Sequence, residues 1–234
     1  MNTLVDNDEV NESGVQVLDR AVGLLNAIAL AGSLSLSELV AATGLPRPTA
    51  HRLAVALETH GLTRRDDDGC FRLGGRLVGW GAAASKAWPL IEFAQPVLDR
   101  LRDRTGESTQ LFVADGNRRL CVASADRVSG LRDTVPLGSS LPINRGSGGT
   151  VLRAFAGAKG RVCDEARKRG WAESVGEREV GVASVSAPVF GQSSVLLAAI
   201  SVSGPVGRLG SNPGKRLGKV VVDAARELEL VFQQ

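Results

Sequence analysis

The sequence has 234 residues, of which 43% are hydrophobic and 23% charged, and this composition is ordinary for a globular protein of one or two domains. It excludes a disordered chain, and three cysteines without a C-x-x-C spacing exclude common zinc and thioredoxin-like motifs. The longest apolar run, residues 195–200, is too short to span a bilayer, and the acidic start of the chain does not resemble a secretory signal. We expect a soluble, cytoplasmic protein with reduced thiols, no membrane partner and no cofactor.

The net charge of +3 conceals an asymmetry along the chain. Residues 1–75 hold six arginines and ten acids, a net charge of −4, whereas residues 76–234 carry +7. Bulk charge therefore does not mark the first part as a nucleic-acid binder. Any such assignment depends on where individual side chains lie.

The first part of the chain predicts a small helical domain with a hairpin. Apolar residues recur at three- and four-residue spacing after Val15, and Ser35 and Glu38 have the spacing of a capping box. Two β-prone runs flank an Asp-Gly turn at 66–69, which is typical of a hairpin. The predicted elements are a disordered tail (1–13), a helix (15–32), a short helix (35–43), a third helix (46–61) and a hairpin (62–73).

The second part of the chain alternates between helical and period-two patterns. The predicted helices are a connecting helix (74–86), one at 88–104 that is bent or begins afresh at Pro96, one opened by a Gly-rich turn (146–156), a basic one (162–170) and a closing one (215–232). The predicted strands are 109–114, 119–124, 133–136, 183–189 and 196–203.

Three helices followed by a hairpin form the pattern of a winged helix-turn-helix, whose third helix enters the major groove of DNA. The alternative is a three-helix bundle with a ribbon that binds nothing. The outer face of the third helix favours DNA, because arginine and threonine side chains read base edges. The acidic run 66–68 would repel phosphate if it faced the duplex. The candidate DNA-binding residues are Ser35, Arg47, Pro48, Thr49, His51, Arg52, Arg64 and Arg65.

Several ordered motifs resemble one family over residues 14–232. They are GVQVLDRAV (14–22), LSELVAATGLPRPTAHRL (36–53), FRLG (71–74), LPIN (141–144), GVASVSAP (181–188) and AAISVSGP (198–205). Together they resemble the IclR family of bacterial transcription regulators. The segments TGES (105–108), SGLRDTVP (129–136) and GERE (176–179) further resemble its actinobacterial branch that controls leucine and related amino-acid biosynthesis, of the NdgR and LtbR type.

The resemblance implies an α+β protein in two domains. A winged helix-turn-helix (14–74) is followed by a linker helix (75–87) and a GAF-like α/β effector domain with an antiparallel sheet (88–234). The family forms dimers through the DNA-binding domains, often paired into tetramers. Its effector contacts correspond here to Ser147, Gly148, Ser184, Ser201 and Ser203.

Two departures from the family pattern bear on the ligand. Ser184 stands where the family often has cysteine, and Gly-Gly-Thr150 stands where it often has Ala-Gly-Lys. The ligand therefore need not be the family's keto-acid type. Ser201 and Ser203 share one face of a strand, either towards a pocket or outward.

Enzyme signatures are weak in this sequence. There is no G-x-S-x-G elbow, and residues 210–215 are one residue short of a phosphate loop. Residues 146–151 match only the start of a dinucleotide fingerprint, and His51 and His60 lie on different sides of one helix. We expect neither an enzyme nor a metal site.

The sequence thus predicts a sequence-specific regulator, a repressor of leucine or related amino-acid biosynthesis genes. Its expected partners are a double-stranded DNA operator, a small amino-acid or organic-acid effector, and further copies of the chain in a homodimer or homotetramer. Two alternatives stay open. One is a regulator of a catabolic operon that responds to an organic acid, and the other is a metabolite-sensing module that does not bind DNA.

Overall fold

A computed structural model describes residues 14–86 and 89–231. Contacts divide the chain into two compact units, Met1–Ala87 and Trp88–Gln234. The predicted tail (1–13), the end of the predicted linker at Ala87, the predicted helix start at Trp88 and the predicted helix end at Phe232 lie outside the described residues.

The first unit contains the predicted helices and hairpin. Its elements are α1 (Gln16–Ala31), α2 (Leu36–Thr43), α3 (Arg47–Thr59), β1 (Thr63–Arg65), β2 (Phe71–Leu73) and α4 (Arg76–Lys86). The capping box at the start of α2 is confirmed, because the Ser35 hydroxyl accepts from the Glu38 N–H at 3.3 Å and the Glu38 carboxylate accepts from the Ser35 N–H at 2.8 Å.

One apolar core holds this unit together. It is built from Leu24, Ile28, Leu39, Ala54, Leu57 and Phe71. Phe71 also exchanges two backbone hydrogen bonds with Leu34, which ties the hairpin to the segment between α1 and α2. A Cβ atom on Gly74 would lie 2.1 Å from the Gly61 carbonyl oxygen, so glycine permits the second strand to pass close to the end of α3.

The second unit is a six-stranded antiparallel sheet between two helical layers, as predicted for the effector domain. The strand order is β5-β4-β3-β8-β7-β6. The elements are α5 (Pro89–Thr105), β3 (Ser108–Asp115), β4 (Arg118–Ala125), β5 (Ser140–Pro142), α6 (Gly146–Phe155), α7 (Arg161–Arg169), β6 (Ala172–Val175), β7 (Val182–Phe190), β8 (Leu196–Pro205), α8 (Val206–Leu209) and α9 (Pro213–Val231).

The two faces of this sheet differ in chemistry. Residues on the face covered by α5 and α9 are apolar, among them Leu111, Val185, Ile200 and Val202. Their neighbours in sequence point to the opposite face, below α6, because side chains alternate along a strand. That face carries Phe112 together with buried polar residues, namely Gln110, Ser186, Ser201 and Ser203. The second face therefore combines an apolar cluster with a polar site.

The structure corrects several predicted elements. The helix does not begin afresh at Pro96, since α5 is continuous and its buried stripe, including Ala94 and Val97, extends past the proline. Residues 133–136 form no strand, and the edge strand beside β4 is Ser140–Pro142 instead. Pro136 cannot donate to a ladder, and Asp133 turns inward to an arginine. The elements β6 and α8 were not predicted, because each has only four residues and little periodicity.

Two general properties concern the described residues only. No helix within 14–86 or 89–231 is long and apolar enough to cross a membrane. Cys121 and Cys163 are buried, Cys70 is half-buried, and all three are free thiols.

Candidate DNA interface and effector pocket

Helix α3 presents a polar outer face opposite its buried Ala50, Ala54 and Leu57. The side chains of Arg47, His51 and Arg52 on that face are exposed, Pro48 is exposed in the first turn, and Thr49 is half-buried. Neither Arg47 nor Arg52 forms an ion pair with any other described residue. Their guanidinium groups are therefore available to phosphates or base edges.

Ser35, another predicted DNA contact, has a structural role at the start of α2. Its hydroxyl donates to the Glu38 carboxylate at 2.8 Å. The backbone N–H and hydroxyl of Ser35 together lower the pKa of Glu38, because both donate to its charged form. The hydroxyl proton is thus used within the capping box.

The wing is the β1–β2 hairpin, and its two predicted DNA contacts, Arg64 and Arg65, have different surroundings. Arg64 is exposed and forms no ion pair within residues 14–86, and its register partner is Arg72. Arg65 bonds Glu58 at 3.3 Å, and its guanidinium lies 4.5 Å from the centre of the Phe71 ring. Arg64 is therefore free for phosphate, while Arg65 supports the packing of the wing against the helices.

The first carboxylate of the acidic run is neutralised within the wing. Asp66 accepts hydrogen bonds from the Arg72 guanidinium at 2.8 Å, the Ser33 hydroxyl at 2.9 Å and the Cys70 N–H at 2.9 Å. These donors, Arg72 above all, lower the pKa of Asp66 to about 2. Asp66 thus organises the turn, and only Asp67 and Asp68 of the run are exposed.

The second unit brings the predicted effector residues together below α6. Ser147 and Gly148 lie in the first turn of α6, Ser184 lies on β7, and Ser201 and Ser203 lie on β8. The Ser147 hydroxyl is 2.7 Å from that of Ser184. Ser201 and Ser203 are only 2% and 4% exposed, so they are not outward strand residues.

Five serine hydroxyls form a continuous chain at this site. The successive oxygen–oxygen distances are 3.0 Å from Ser174 to Ser184, 2.7 Å from Ser184 to Ser147, 2.7 Å from Ser147 to Ser186 and 2.8 Å from Ser186 to Ser201. A hydroxyl has one proton, and Ser186 donates its proton to Ser201, so each earlier member donates to the next. The proton of Ser201 is the one that this chain does not use.

Close packing of glycines shapes the start of α6. A Cβ atom on Gly149 would lie 2.1 Å from the Ile143 carbonyl oxygen, and one on Gly148 would lie 3.1 Å from the Phe112 ring. The first-turn N–H groups have no partner inside the helix. The Gly146 N–H donates to the Glu177 carboxylate at 2.9 Å, and the Ser147 N–H donates to the Ser174 hydroxyl at 3.2 Å.

A cavity of about 20 Å³, termed here the effector pocket, adjoins these groups. Its polar lining includes predicted and unpredicted residues: Gln110, Arg119, Asp133, Arg178, Ser201 and Ser203. Gln110 exchanges hydrogen bonds with the Ser203 hydroxyl at 3.0 and 3.2 Å. Gln110 and Arg119 were not predicted. For Gln110 a signal was available, because Ser108 and Gln110 are polar residues two positions apart in one strand.

Arg119 and Asp133 each carry a buried polar atom without a partner. Arg119 is 3% exposed; its Nη1 donates to the Pro142 carbonyl at 2.6 Å, but its Nε has no partner among the described residues. Asp133 is 6% exposed; its Oδ1 accepts from Arg178, while its Oδ2 has none within the same part of the chain. Burial, followed by the charge of Arg178, lowers the pKa of Arg119 to about 10, so it stays protonated at neutral pH.

The described residues contain no cluster of three His, Cys, Asp or Glu side chains that could hold a metal ion. A winged helix-turn-helix followed by a separate domain with a polar pocket defines the class of DNA-binding transcription regulators.

Comparison with known proteins identifies the family. The IclR helix-turn-helix domain matches residues 17–67, and the bacterial transcriptional regulator IclR C-terminal domain matches residues 82–161 and 160–230. The chain belongs to the IclR family of bacterial transcriptional regulators. It is therefore a DNA-binding transcription regulator and not an enzyme, and the alternative of a sensing module without DNA binding is wrong.

Individual relatives resemble the chain along nearly its whole length. It is 28% identical to the HTH-type transcriptional regulator BhcR of Paracoccus denitrificans, with 93% of this chain and 88% of that protein covered. It is 26% identical to the transcriptional repressor IclR of Escherichia coli, with 93% and 90% covered. The structure of an IclR homolog complexed with 4-hydroxybenzoate, from Microbacterium hydrocarbonoxydans, matches with a TM-score of 0.75 and 24% identity over 93% of this chain and 99% of that one. This last likeness concerns the fold.

Proposed function

We propose that this regulator is a repressor of leucine or related amino-acid biosynthesis genes, and that a small amino acid or organic acid in the effector pocket modulates its operator binding. The observation that carries the proposal is the buried polar pocket below α6. It combines a charged guanidinium, several hydroxyls and the first turn of a helix, groups that suit a small polar metabolite.

The segments that resemble the amino-acid branch supply part of this pocket. Asp133 belongs to SGLRDTVP (129–136), and Glu177 and Arg178 belong to GERE (176–179). Asp133 and Arg178 line the pocket, and Glu177 bonds the Gly146 N–H at its edge. Residues of the segments that carry the resemblance therefore adjoin the pocket, and this proximity supports the proposed branch.

On the DNA side, we assign α3 as the recognition helix. The residues that would face the major groove are Arg47, Pro48, Thr49, His51 and Arg52. Ser35, at the start of α2, would lie beside the DNA backbone, and Arg64 would contact a phosphate. Arg65 has a lesser role here, because Glu58 and the Phe71 ring already engage it. Repression is supported by the name of the Escherichia coli relative.

The proposed assembly is a homodimer, or a homotetramer built from two of them. A single helix-turn-helix reads one half-site, and two-fold symmetry doubles the contact. Helix α1 carries exposed apolar side chains at Val17, Leu18 and Val22, and α4 carries them at Val78 and Trp80. Such surfaces favour contact with another copy.

The proposal is tested by a gel shift with a duplex from the region upstream of the protein's own gene. We expect the protein to bind this duplex more tightly than a scrambled duplex of equal length at the same salt concentration. We also expect this binding to change when an amino acid or its keto acid is added. Calorimetry with the double variant Ser201→Val/Ser203→Val should show the same ligand bound more weakly. Binding untouched by the double change would remove the effector pocket from the proposal.

A second candidate is a regulator of a catabolic operon that responds to an organic acid. The 4-hydroxybenzoate in the Microbacterium homolog favours it, since that ligand is an aromatic acid. In the pocket, Arg119 and the ring of Phe112 could receive a carboxylate and an aromatic ring. Adding 4-hydroxybenzoate to the same gel shift distinguishes the biosynthetic from the catabolic candidate. Release of DNA by this acid, but not by amino acids or their keto acids, would favour the catabolic role.

A further inference from the structure

We infer that the effector pocket is a receptor for a free α-amino acid, with the ligand carboxylate on Arg119 and its ammonium group on Asp133. This inference rests on the proposed effector function and adds the chemical class of the ligand. It assigns roles to two residues that lie outside the serine and glycine set predicted from the sequence.

The first argument is the pair of unpartnered atoms. Arg119 Nε is a buried donor and Asp133 Oδ2 a buried acceptor, neither has a partner among the described residues, and both side chains line the same cavity. Buried polar atoms in folded proteins are nearly always hydrogen-bonded. A ligand that completes both carries an acceptor for Arg119 and a donor for Asp133, as the carboxylate and ammonium groups of an α-amino acid do.

The second argument is charge balance. Arg119, Arg178 and Asp133 line the pocket and Glu177 lies at its edge, so these four groups sum to zero. Glu179, which is 3.7 Å from Arg178, is 64% exposed and its charge is solvated. A zwitterion leaves that balance unchanged. A keto acid would add a net negative charge and would turn a carbonyl oxygen towards Asp133, which repels it.

The third argument is the distribution of donors. Glu177 already occupies the Gly146 N–H, so the ligand carboxylate must find its donors elsewhere. The Ser201 hydroxyl lines the pocket, and its proton is not used by the serine chain. Arg119 Nε and Ser201 Oγ therefore supply two donors for one carboxylate.

The fourth argument concerns size and entry. The free volume of about 20 Å³ is close to that needed for one water molecule, so a ligand must enlarge the pocket. Arg178 forms part of the wall with 22% of its side chain exposed. Its outward rotation would open the cavity for entry, and its return to Asp133 would restore the charge balance around the bound ligand. The apolar side chain of the ligand would then rest on Phe112, Val135 and Val182.

The experiment is calorimetry on the full-length protein with each of the common amino acids at millimolar concentration. Every binder is then compared with its 2-hydroxy and 2-keto acids, which keep the side chain but replace the ammonium group. We expect at least one amino acid to bind, and its keto acid to bind about tenfold more weakly or worse, because an unpaired buried carboxylate oxygen rejects the analogue.

The variant Asp133→Asn tests the assigned residue. The amide keeps the size of the side chain and removes its charge, so the preference for the amino acid over the keto acid should fall about tenfold or more. Asp223→Asn, on the exposed side of α9, should leave the preference unchanged and serves as the control. Thermal unfolding establishes whether both variants are folded. If Asp133→Asn is unfolded, the comparison of amino acids with their keto acids on the wild-type protein still tests the inference.

The outcomes separate this inference from the proposed function. If keto acids or 4-hydroxybenzoate bind and alter the operator complex while amino acids do not, the amino-acid inference is wrong and the effector function stands. If amino acids bind but Asp133→Asn keeps the full preference over keto acids, the placement of the ammonium group is wrong. If no acid of either kind binds or alters the operator complex, both are wrong.

Discussion

The Glu177 carboxylate accepts a hydrogen bond from the Gly146 N–H at 2.9 Å, so a side chain of the protein itself occupies the start of α6. A helix N-terminus favours anions, because its first N–H groups lack partners within the helix. Glu177 is therefore an internal competitor for any carboxylate ligand that approaches α6.

The first prediction concerns this competition. Glu177→Gln should raise the affinity of simple carboxylates, with 2-keto acids as the probe, several-fold, since the pocket gains a net positive charge. The control Glu227→Gln removes the same charge from an exposed carboxylate on α9, across the sheet from the pocket, and should have little effect. Calorimetry measures both, and an unchanged or weaker keto-acid affinity in Glu177→Gln would contradict the competition.

The second prediction concerns base reading by α3. Arg47→Ala or Arg52→Ala should weaken operator binding and reduce its preference over a scrambled duplex, because an arginine that contacts a base contributes about 1–3 kcal/mol of discrimination. Arg161→Ala, an exposed arginine on α7, is the control. If both α3 variants are folded and bind like the wild type, α3 is not the recognition helix.

The third prediction separates the two arginines of the wing. Arg64→Ala should lower the affinity for specific and scrambled duplexes alike. The slope of the logarithm of the binding constant against the logarithm of salt concentration should become shallower by about the amount expected for one phosphate contact. Arg65→Ala should change the salt dependence less, because its guanidinium is engaged by Glu58 and the Phe71 ring. Equal salt slopes for both variants would show that the wing does not approach DNA as assigned.

The fourth prediction is a pH dependence of stability. The pKa of Asp66 lies at about 2, below its ordinary value of 3.8, so its charged form stabilises the fold. That contribution is complete above the ordinary value and is lost as the pH falls through about 2. The melting temperature of Asp66→Asn should therefore approach that of the wild type on acidification over this range. A difference in melting temperature that stays constant over the range would contradict this role of Asp66.

The fifth prediction concerns the glycine turn of α6. Gly149→Ala would place a Cβ atom 2.1 Å from the Ile143 carbonyl oxygen, so the backbone must shift. We expect a loss of about 1–3 kcal/mol in the free energy of unfolding. Gly207→Ala has no atom within 4 Å of the added Cβ and is the control. Denaturant unfolding of both variants measures the difference, and equal stability would mean that the turn accommodates a side chain.

The sequence was most informative where a periodic pattern repeats over many residues. Helices α1 and α3 and strands β7 and β8 follow their apolar spacing, and the alternation of Ser201 and Ser203 with core valine and isoleucine predicts a shared face. Pattern alone could not place these serines in a pocket, since alternation is equally typical of a strand with one solvent-exposed face. The family resemblance supplied that choice.

Sequence patterns could not predict the charged residues of the pocket, Arg119, Asp133 and Arg178. Arg119 lies on β4, yet its carbonyl partner Pro142 is 23 residues further along the chain. Asp133 meets Arg178 across 45 residues, from a segment that has no periodic pattern. Such pairs arise from tertiary packing, and nothing local in the sequence encodes which arginine meets which carboxylate.

The capping of α6 has a mechanical consequence. Both side chains that hold its first turn, Ser174 and Glu177, belong to β6 or the residues just after it, at the outer edge of the sheet. A helix of ten residues is about 15 Å long, so a tilt of about 10° about its first turn would carry the far end through about 2.6 Å. Because α7 packs along α6, such a tilt would also displace α7.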